Sequence, residues 1–174
     1  MDGTSPFLNG LHAWCISIAV LHKNEIVIGI VFDPLHNELF HAQLGAGAYL
    51  NNTPIQTLSP AENVTDGLVG LGVSHRVPPN SILPFLHQLL TDGGMYVRNG
   101  SGALSLAQVA AGRLLAYYEP HMNCWDSAAG MLLVREAGGA ANNILANDGL
   151  LQGNFVLAAA NQHIYQQLDL MRTL

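Results

Sequence analysis

The chain has 174 residues, of which 49% are hydrophobic and only 10% are charged. This length fits one domain with a sizeable core, whereas an ordinary soluble domain carries about 25% charged residues. The low fraction of charged residues therefore predicts that part of the surface packs against another chain or against a further part of the same protein.

The net charge is −6, and Lys23 is the single lysine beside five scattered arginines. Without a basic stripe, the sequence predicts no nucleic-acid binding. No apolar run approaches the roughly 18 residues that span a bilayer, so we expect no membrane contact and a cytoplasmic protein. Cys15 and Cys124 are far apart and in no metal-binding spacing, which predicts buried thiols rather than a disulfide.

The first third of the chain predicts an antiparallel meander. Apolar and β-branched residues indicate four strands, over 12–21, 26–33, 38–42 and 48–51. Residues 56–66 are rich in Ser, Pro, Asn and Thr, which is typical of a boundary. We assign 1–62 to this meander and 63–174 to a second unit.

The second unit alternates strands with helices. Strands are expected over 67–73, 95–98, 114–119, 140–144 and 154–159. Helices are expected over about 81–91, 102–111 and 126–137 and from about 162, three of them closed by glycines. This alternation predicts an α/β layered sandwich.

The first candidate site is the segment Asp2-Gly3-Thr4-Ser5-Pro6. The glycine allows close approach to a ligand, and Thr4 can cap a short helical turn whose free amides suit an anion. An ordinary cap near a frayed terminus explains the same residues.

The second candidate is the segment that begins Cys124-Trp125-Asp126 and continues with small residues. Asp126 at the start of a helix is normally a cap, worth about 1 kcal/mol. The small residues after it would also let a metal ion or ligand approach the carboxylate. Both interpretations stay open at this point.

The third candidate is the glycine-rich turn at 99–103, which follows a strand and opens a helix. Free amides and the helix dipole favour anions or hydroxyls there, although a tight turn needs similar residues. Glu119 ends the next strand beside His121, seven residues before Asp126, so two carboxylates can converge at one sheet edge. The eight histidines form no spacing that places two metal ligands on one face.

Two segments carry a resemblance to a known family. Residues 125–139 match the signature WDxAAGxLLVxEAGG almost throughout, and residues 1–7 resemble the tail of DPxDGTxNF. These are the signatures of the inositol monophosphatase family, the magnesium-dependent, lithium-sensitive phosphatases. The likeness extends from residue 1 to the C-terminus.

The resemblance implies a layered αβαβα sandwich that lacks its N-terminal helices and first strands, because the sequence begins inside the first signature. It also implies Mg²⁺ as cofactor, a small phosphorylated polyol as substrate and a homodimer. A glutamate and an aspartate that bind metal in the family lie before the first signature residue present here. Met1 stands where relatives have Ile or Leu. The sequence is therefore compatible with two alternatives: a start codon that was assigned too far downstream, or a protein that is made in this short form.

Carried over residue by residue, the resemblance implies that Asp2 and Asp126 are ligands of one magnesium ion. It also implies that Thr4 helps to orient the attacking water. The amides of Gly3 and Thr4 would hold the phosphate. The backbone around Ser101 and Gly102, with the carboxylate of Glu119, would contact the sugar hydroxyls. Relatives usually carry alanine in place of Gly102, which changes the shape of the pocket.

The function expected from this resemblance is magnesium-dependent hydrolysis of a small phosphate monoester, with inositol monophosphate favoured because Glu119 is acidic. Two carboxylates hold one ion weakly, so we expect an incomplete metal site and little turnover. The alternatives are a nucleotide 3′-phosphatase, a histidinol-phosphate or fructose-phosphate phosphatase, and a non-catalytic module for oligomerisation or regulation.

Overall fold

The computed structural model describes residues 1–58 and 60–174, and it contains two five-stranded sheets. The first sheet is antiparallel throughout, in the order β1-β2-β3-β4-β5. Its strands are β1 (Ile16–His22), β2 (Glu25–Asp33), β3 (Glu38–Gln43), β4 (Ala48–Leu50) and β5 (Thr53–Pro54). The predicted meander is confirmed.

The second sheet has the order β7-β6-β8-β10-β9. Its strands are β6 (Leu68–Leu71), β7 (Met95–Val97), β8 (Ala116–Met122), β9 (Ala140–Ala141) and β10 (Asn154–Ala159). β6 runs parallel to β7 and β8, whereas β10 runs antiparallel to β8 and β9. The carboxyl ends of three strands therefore lie at one edge, the usual place for ligands in such sheets.

Six α-helices accompany the sheets in the described residues: α1 (Thr4–Leu8), α2 (Leu83–Thr91), α3 (Gly102–Ala110), α4 (Cys124–Glu136), α5 (Gly149–Gln152) and α6 (Gln162–Arg172). α3 and α4 lie between the two sheets, and α2 and α6 cover the far side of the second sheet. The layers are sheet, helices, sheet, helices, which confirms the α/β sandwich of the predicted αβαβα type without its first helical layer.

Small residues of α4 allow the middle layers to approach closely. A Cβ on Gly29 would lie 2.6 Å from the Ala129 carbonyl oxygen, and one on Gly130 would lie 2.4 Å from the Cβ of Leu106. Real Cβ atoms do not approach this closely, so both positions require glycine. The small residues after Asp126 therefore serve the packing of α4, and the approach of a metal ion to Asp126 stays a prediction.

Several predicted boundaries were wrong, for identifiable reasons. The first strand begins at Ile16 rather than residue 12, because Cys15 pairs with Asp2 and the Trp14 ring packs edge to face on Phe7 at 5.0 Å. The strand predicted over 140–144 ends at Ala141, because the side chain of Asn142 bonds to the backbone of β10.

The strand predicted to end at Glu119 continues to Met122. Pro120 falls in the irregular pairing between β8 and β10, where a missing amide hydrogen is tolerated. The fourth helix begins at Cys124, two residues before the predicted start, and its cap position is Asn123. Asp126 is therefore not the helix cap.

One face of the first sheet is both apolar and exposed. It carries five side chains that are 38–50% exposed, on three adjacent strands: Ile16, Ile18, Val20, Ile28 and Leu39. Antiparallel sheets with one solvated face normally alternate apolar and polar residues. The outer face of this sheet has instead the composition of a covered face, as the sparse charge of the sequence predicts.

The first sheet ends at Pro54 and the second begins at Leu68, but α4 packs on both. The division at residues 62 and 63 stays a prediction. Within residues 1–58 and 60–174, no helix is long and apolar enough to cross a membrane.

Candidate active site

A cavity of about 710 Å³ opens at the sheet edge where β6 and β7 end. Four segments that are distant in sequence meet there, and they include α1 and the first turn of α4. The lining consists of Met1 to Pro6, Asn9, Leu11, Leu71 to Arg76, Arg98 to Gly100, Gly102, Tyr117, Glu119, Met122, Trp125 and Asp126. All of the predicted site residues except Ser101 line this cavity.

Asp2 is held from two sides. Its backbone pairs with Cys15, with the Asp2 amide 2.9 Å from the Cys15 carbonyl oxygen. Its side-chain oxygen Oδ2 accepts hydrogen bonds from the Ser101 hydroxyl at 2.7 Å and from the Ala103 amide at 2.8 Å. The other oxygen, Oδ1, accepts no hydrogen bond from the described residues and is available to a ligand.

Asp126 faces the same cavity from the first turn of α4. Burial raises the pKa of its carboxyl group above the ordinary value, and the negative charge of Asp2 raises it further. Two carboxylates that repel each other in a partly buried site are stabilised by a cation between them. The hard oxygen donors of Asp2 and Asp126 suit Mg²⁺.

The donor set for such an ion is small. Within residues 1–58 and 60–174, no group of three or more His, Cys, Asp or Glu side chains converges closely enough to hold a metal. Asp2 and Asp126 are the two carboxylates of this cavity that would hold a magnesium ion, and the weak site expected from the sequence stays a prediction.

Gly3 and Thr4 form the turn that enters α1. Gly3 has a φ of +86°, and a Cβ there would lie 2.5 Å from the Ala13 carbonyl oxygen, so only glycine fits. Thr4 is the first residue of the helix and does not cap it, contrary to the prediction, because Gly3 occupies the cap position. The Thr4 side chain is instead exposed to the cavity.

Glu119 projects from β8 and is 8% exposed. Its Oε2 accepts a hydrogen bond of 2.6 Å from the Tyr117 hydroxyl. Burial raises the pKa of Glu119, while the hydrogen bond from Tyr117 lowers it. A Cβ on Gly72 would lie 2.3 Å from Oε2 of Glu119, so the absence of a side chain at residue 72 makes room for this carboxylate.

Ser101 lies under the cavity rather than in its wall. Its amide donates to the Asn99 side chain at 3.1 Å, and its hydroxyl accepts from the Leu104 amide at 3.2 Å. These groups are engaged within the protein, and Gly102 rather than Ser101 lines the cavity. The backbone contact with the sugar hydroxyls stays a prediction. Sequence reasoning missed the role of the Ser101 side chain, which is to hold Asp2.

Gly102 lies against the side chains of Met122 and Tyr117. A Cβ on Gly102 would lie 2.6 Å from the terminal methyl of Met122 and 2.9 Å from the Tyr117 hydroxyl. The methionine side chain thus occupies the space that an alanine methyl would need.

Arg76 and Arg98 line the cavity and were missed from the sequence. Arg98 directly follows β7, and Arg76 lies five residues after β6. Residues that follow neighbouring parallel strands meet at one sheet edge, so this signal was available once the two strands were assigned.

The comparisons with known proteins agree with this geometry. The profile of the inositol monophosphatase family matches residues 1–171. Nus factor SuhB of Haemophilus influenzae is 36% identical over 174 residues, which cover 99% of this chain and 65% of that protein. Inositol-1-monophosphatase of Mesorhizobium japonicum is 34% identical over 168 residues, which cover 92% of this chain and 63% of that protein.

Solved structures show the same fold. Extragenic suppressor protein suhB from Bartonella henselae superposes with a TM-score of 0.89 at 33% identity, covering 98% of this chain and 66% of that one. Inositol monophosphatase from Anabaena has a TM-score of 0.86 at 31% identity, covering 99% and 68%. The chain thus spans about two thirds of the length of these relatives. The family expected from the two signatures is confirmed: this chain belongs to the inositol monophosphatase family.

Proposed function

We propose that this chain carries a magnesium-dependent phosphatase site for a small phosphorylated polyol, with inositol monophosphate as the simplest substrate. The observation that carries the proposal is the convergence of Asp2, Asp126 and Glu119 on one cavity together with the turn at Gly3 and Thr4. Relatives named inositol-1-monophosphatase support this substrate class. SaIMPase-II has been solved with bound inositol monophosphate and with bound 2′-AMP, so the choice between a polyol and a nucleotide rests on Glu119.

Asp2 and Asp126 are the residues that would hold the magnesium ion. The ion supplies two things to phosphate ester hydrolysis when it is bound, a hydroxide near neutral pH and compensation of charge on the leaving oxygen. Ser101 and Ala103 fix Oδ2 of Asp2 by hydrogen bonds, so Oδ1 is the oxygen that can bind a ligand. A carboxylate held in this way binds cations better than a mobile one.

Thr4 and Gly3 act on the phosphate and the attacking water. Thr4 lines the cavity, where its hydroxyl can accept a hydrogen bond from the attacking water and so orient that water. The amides of Gly3 and Thr4 donate to phosphate oxygens, which fixes the ester for displacement in line with the leaving group.

Glu119 and Gly102 act on the polyol. Tyr117 fixes Oε2 of Glu119, and Oε1 accepts no hydrogen bond from the described residues, so it can accept one from a substrate hydroxyl. Gly102 offers backbone groups beside it. An acidic group at this position favours a neutral polyol ring carrying hydroxyl donors over the phosphate of a nucleotide.

Release of inorganic phosphate from inositol 1-phosphate, with and without Mg²⁺, tests the proposal. We expect magnesium-dependent release that 2′-AMP does not match, at a turnover below about 1 s⁻¹, the lower end of typical enzymes, because the metal has few ligands. Thr4→Ala should remove the release, whereas Thr91→Ala, at an exposed residue outside the cavity, should leave it unchanged. Release that is independent of magnesium, or equal for Thr4→Ala and wild type, would contradict the proposal.

A second candidate is a non-catalytic role in which the fold binds a partner. Several relatives are named Nus factor SuhB, and the first sheet exposes an apolar face. A chain that fails to bind inositol 1-phosphate at saturating Mg²⁺ would favour this role over the phosphatase.

A further inference from the structure

The hydroxyl group of Ser101 has its full hydrogen-bonding capacity in use. It donates its one hydrogen to Oδ2 of Asp2 at 2.7 Å, so it can only accept from its other neighbours. These are the Leu104 amide at 3.2 Å and the Cys15 thiol, whose Sγ lies 3.5 Å away. Ser101 is 1% exposed, so solvent does not replace these contacts. The position of Ser101 therefore sets one of the two hydrogen bonds that hold the carboxylate of Asp2.

The backbone of Ser101 is held in turn by two side chains, those of Asn99 and Ser105. Oδ1 of Asn99 accepts hydrogen bonds from the Ser101 amide at 3.1 Å and from the Ser105 hydroxyl at 3.0 Å. The Ser105 hydroxyl also lies 2.8 Å from the carbonyl oxygen of Ser101, so it shares its one hydrogen between two acceptors. Both the amide and the carbonyl group of Ser101 are thus bound by this pair.

Local backbone conformation does little to fix Ser101. Gly100 directly precedes it with a φ of +98°, and a Cβ on Gly100 would lie 2.6 Å from Cγ of Pro6, so this position requires glycine. Glycine is the residue that restrains the backbone least. Ser101 is the cap residue before α3 and lies outside the helix, with a φ of −121°. The contacts of Asn99 and Ser105 therefore supply the restraint that the turn itself lacks.

We propose that Asn99 and Ser105 are positioning residues for the metal ligand Asp2, and that they act through Ser101. This inference rests on the proposed function, since it takes Asp2 as a ligand of the magnesium ion. Groups that orient a metal ligand strengthen binding because the ligand is already in place when the ion arrives. Here the pair holds the backbone of Ser101, the Ser101 hydroxyl holds Oδ2 of Asp2, and Oδ1 stays available to the ion.

Calorimetric titration with Mg²⁺ in the presence of inositol 1-phosphate tests the proposal. We expect Asn99→Ala to weaken magnesium binding by about 3-fold to 10-fold, less than the loss of a group in direct contact with the ligand. Ser105→Ala keeps the bond from the Ser101 amide to Asn99 and should weaken binding by about 2-fold to 3-fold.

Gln108→Ala is the matched control on the same network. It removes a contact of 3.4 Å from Nδ2 of Asn99 and leaves Oδ1 of Asn99 with both of its donors. Because a contact of this length is weak, the variant should change magnesium affinity by less than about 2-fold.

A double-mutant cycle separates action through Ser101 from direct contact with the ligand, since Asn99 also lines the cavity. In a Ser101→Ala background the link to Asp2 is already broken, so adding Asn99→Ala should change magnesium affinity by less than about 2-fold. Losses that multiply in the double variant would mean that Asn99 acts on the ligand by itself, and they would overturn the proposal.

The remaining outcomes separate this inference from the proposed function. Thermal melts in EDTA show whether each variant is folded, and if Asn99→Ala is not, Ser105→Ala and the control decide the question. Lower melting temperatures with unchanged magnesium affinity would restrict Asn99 and Ser105 to the stability of α3, so the phosphatase site would stand and the inference would fail. A wild-type chain that binds no magnesium would overturn both.

Discussion

Asp2 illustrates how a single residue is fixed by contacts that are distant in sequence. Its side chain accepts hydrogen bonds from Ser101 and Ala103, about a hundred positions away, and its backbone pairs with Cys15. Cys15 is fully buried, and burial raises the pKa of its thiol to about 12, so it stays neutral beside the carboxylate. These contacts predict that Asp2 depends on Ser101 for its orientation.

Replacing Ser101 with alanine tests this dependence. We expect Ser101→Ala to weaken magnesium binding by about 10-fold to 100-fold, the usual cost of losing a group that orients a metal ligand. Ser101→Thr keeps the hydroxyl and should retain most of the affinity. A calorimetric titration with Mg²⁺ measures both. Ser101 also caps α3, so a lower melting temperature with unchanged magnesium affinity would restrict the residue to a structural role.

Glu119 predicts a dependence of stability on pH. Its pKa is raised in the folded chain, chiefly by burial, so the stability that it contributes is complete below its unfolded pKa and is lost as pH rises through the folded value. Without metal, Glu119→Gln should therefore be more stable than wild type at pH 8 by on the order of 1 kcal/mol, or about 2–4 °C in melting temperature. Near pH 3 the difference should disappear. Thermal melts in EDTA measure this, and a difference that is equal at both pH values would contradict the assignment.

At the scale of elements, α4 connects the site to the first sheet. Its first turn presents Asp126 to the cavity, and near its other end Glu136 accepts hydrogen bonds of 2.9 Å from the amides of Gly45 and Gly47. Both glycines have positive φ, which turns their amides toward one carboxylate. The tight turn between β3 and β4 is thereby attached to the helix.

Removing this attachment should cost stability without changing the site. We expect Glu136→Ala to lower the free energy of unfolding by about 1–2 kcal/mol, because two charge-assisted hydrogen bonds are lost at a partly exposed position. Glu62→Ala, at an exposed carboxylate, is the control and should change it by less than about 0.5 kcal/mol. Urea denaturation measures both variants. Equal values for the two would show that Glu136 contributes nothing.

Most elements could be predicted from the sequence because their signals are local. The β-branched run lies within β2 itself, and the glycines that end α4 follow it directly in sequence. Two boundary errors came from contacts across the chain: Cys15 pairs with Asp2, and the side-chain oxygen of Asn142, rather than its backbone carbonyl, accepts from the Leu157 amide. The two family signatures located Asp2 and Asp126, whereas Arg98 lies outside them and became visible only when β6 and β7 were seen to be neighbours.

At the scale of the whole molecule, the most important feature for association is the exposed apolar outer face of the first sheet. Ile18 is 50% exposed and Val20 is 44% exposed on β1, which is an edge strand of its sheet. Exposed apolar patches and open strand edges favour association. The homodimer expected from the family resemblance stays a prediction. The exposed apolar face predicts, in addition, that the isolated chain associates with itself.

We predict that the sedimentation coefficient of the chain rises with concentration in the micromolar range. Ile18→Lys combined with Val20→Lys should abolish the rise, because lysines on an edge strand oppose pairing and apolar contact. Leu151→Lys changes a residue that is 72% exposed on α5 and serves as the control. A wild-type chain that stays monomeric at all concentrations would contradict the prediction.

The most direct test of the account is a calorimetric titration with Mg²⁺ in the presence of inositol 1-phosphate, on the wild-type chain and on Asp126→Asn. Because Asp2 and Asp126 are the only proposed ligands, we expect one weak site in the wild type and none in the variant. Asp148→Asn, which changes an acidic residue outside the cavity, should bind as the wild type does. Magnesium binding that survives in Asp126→Asn would place the ion elsewhere and contradict the account.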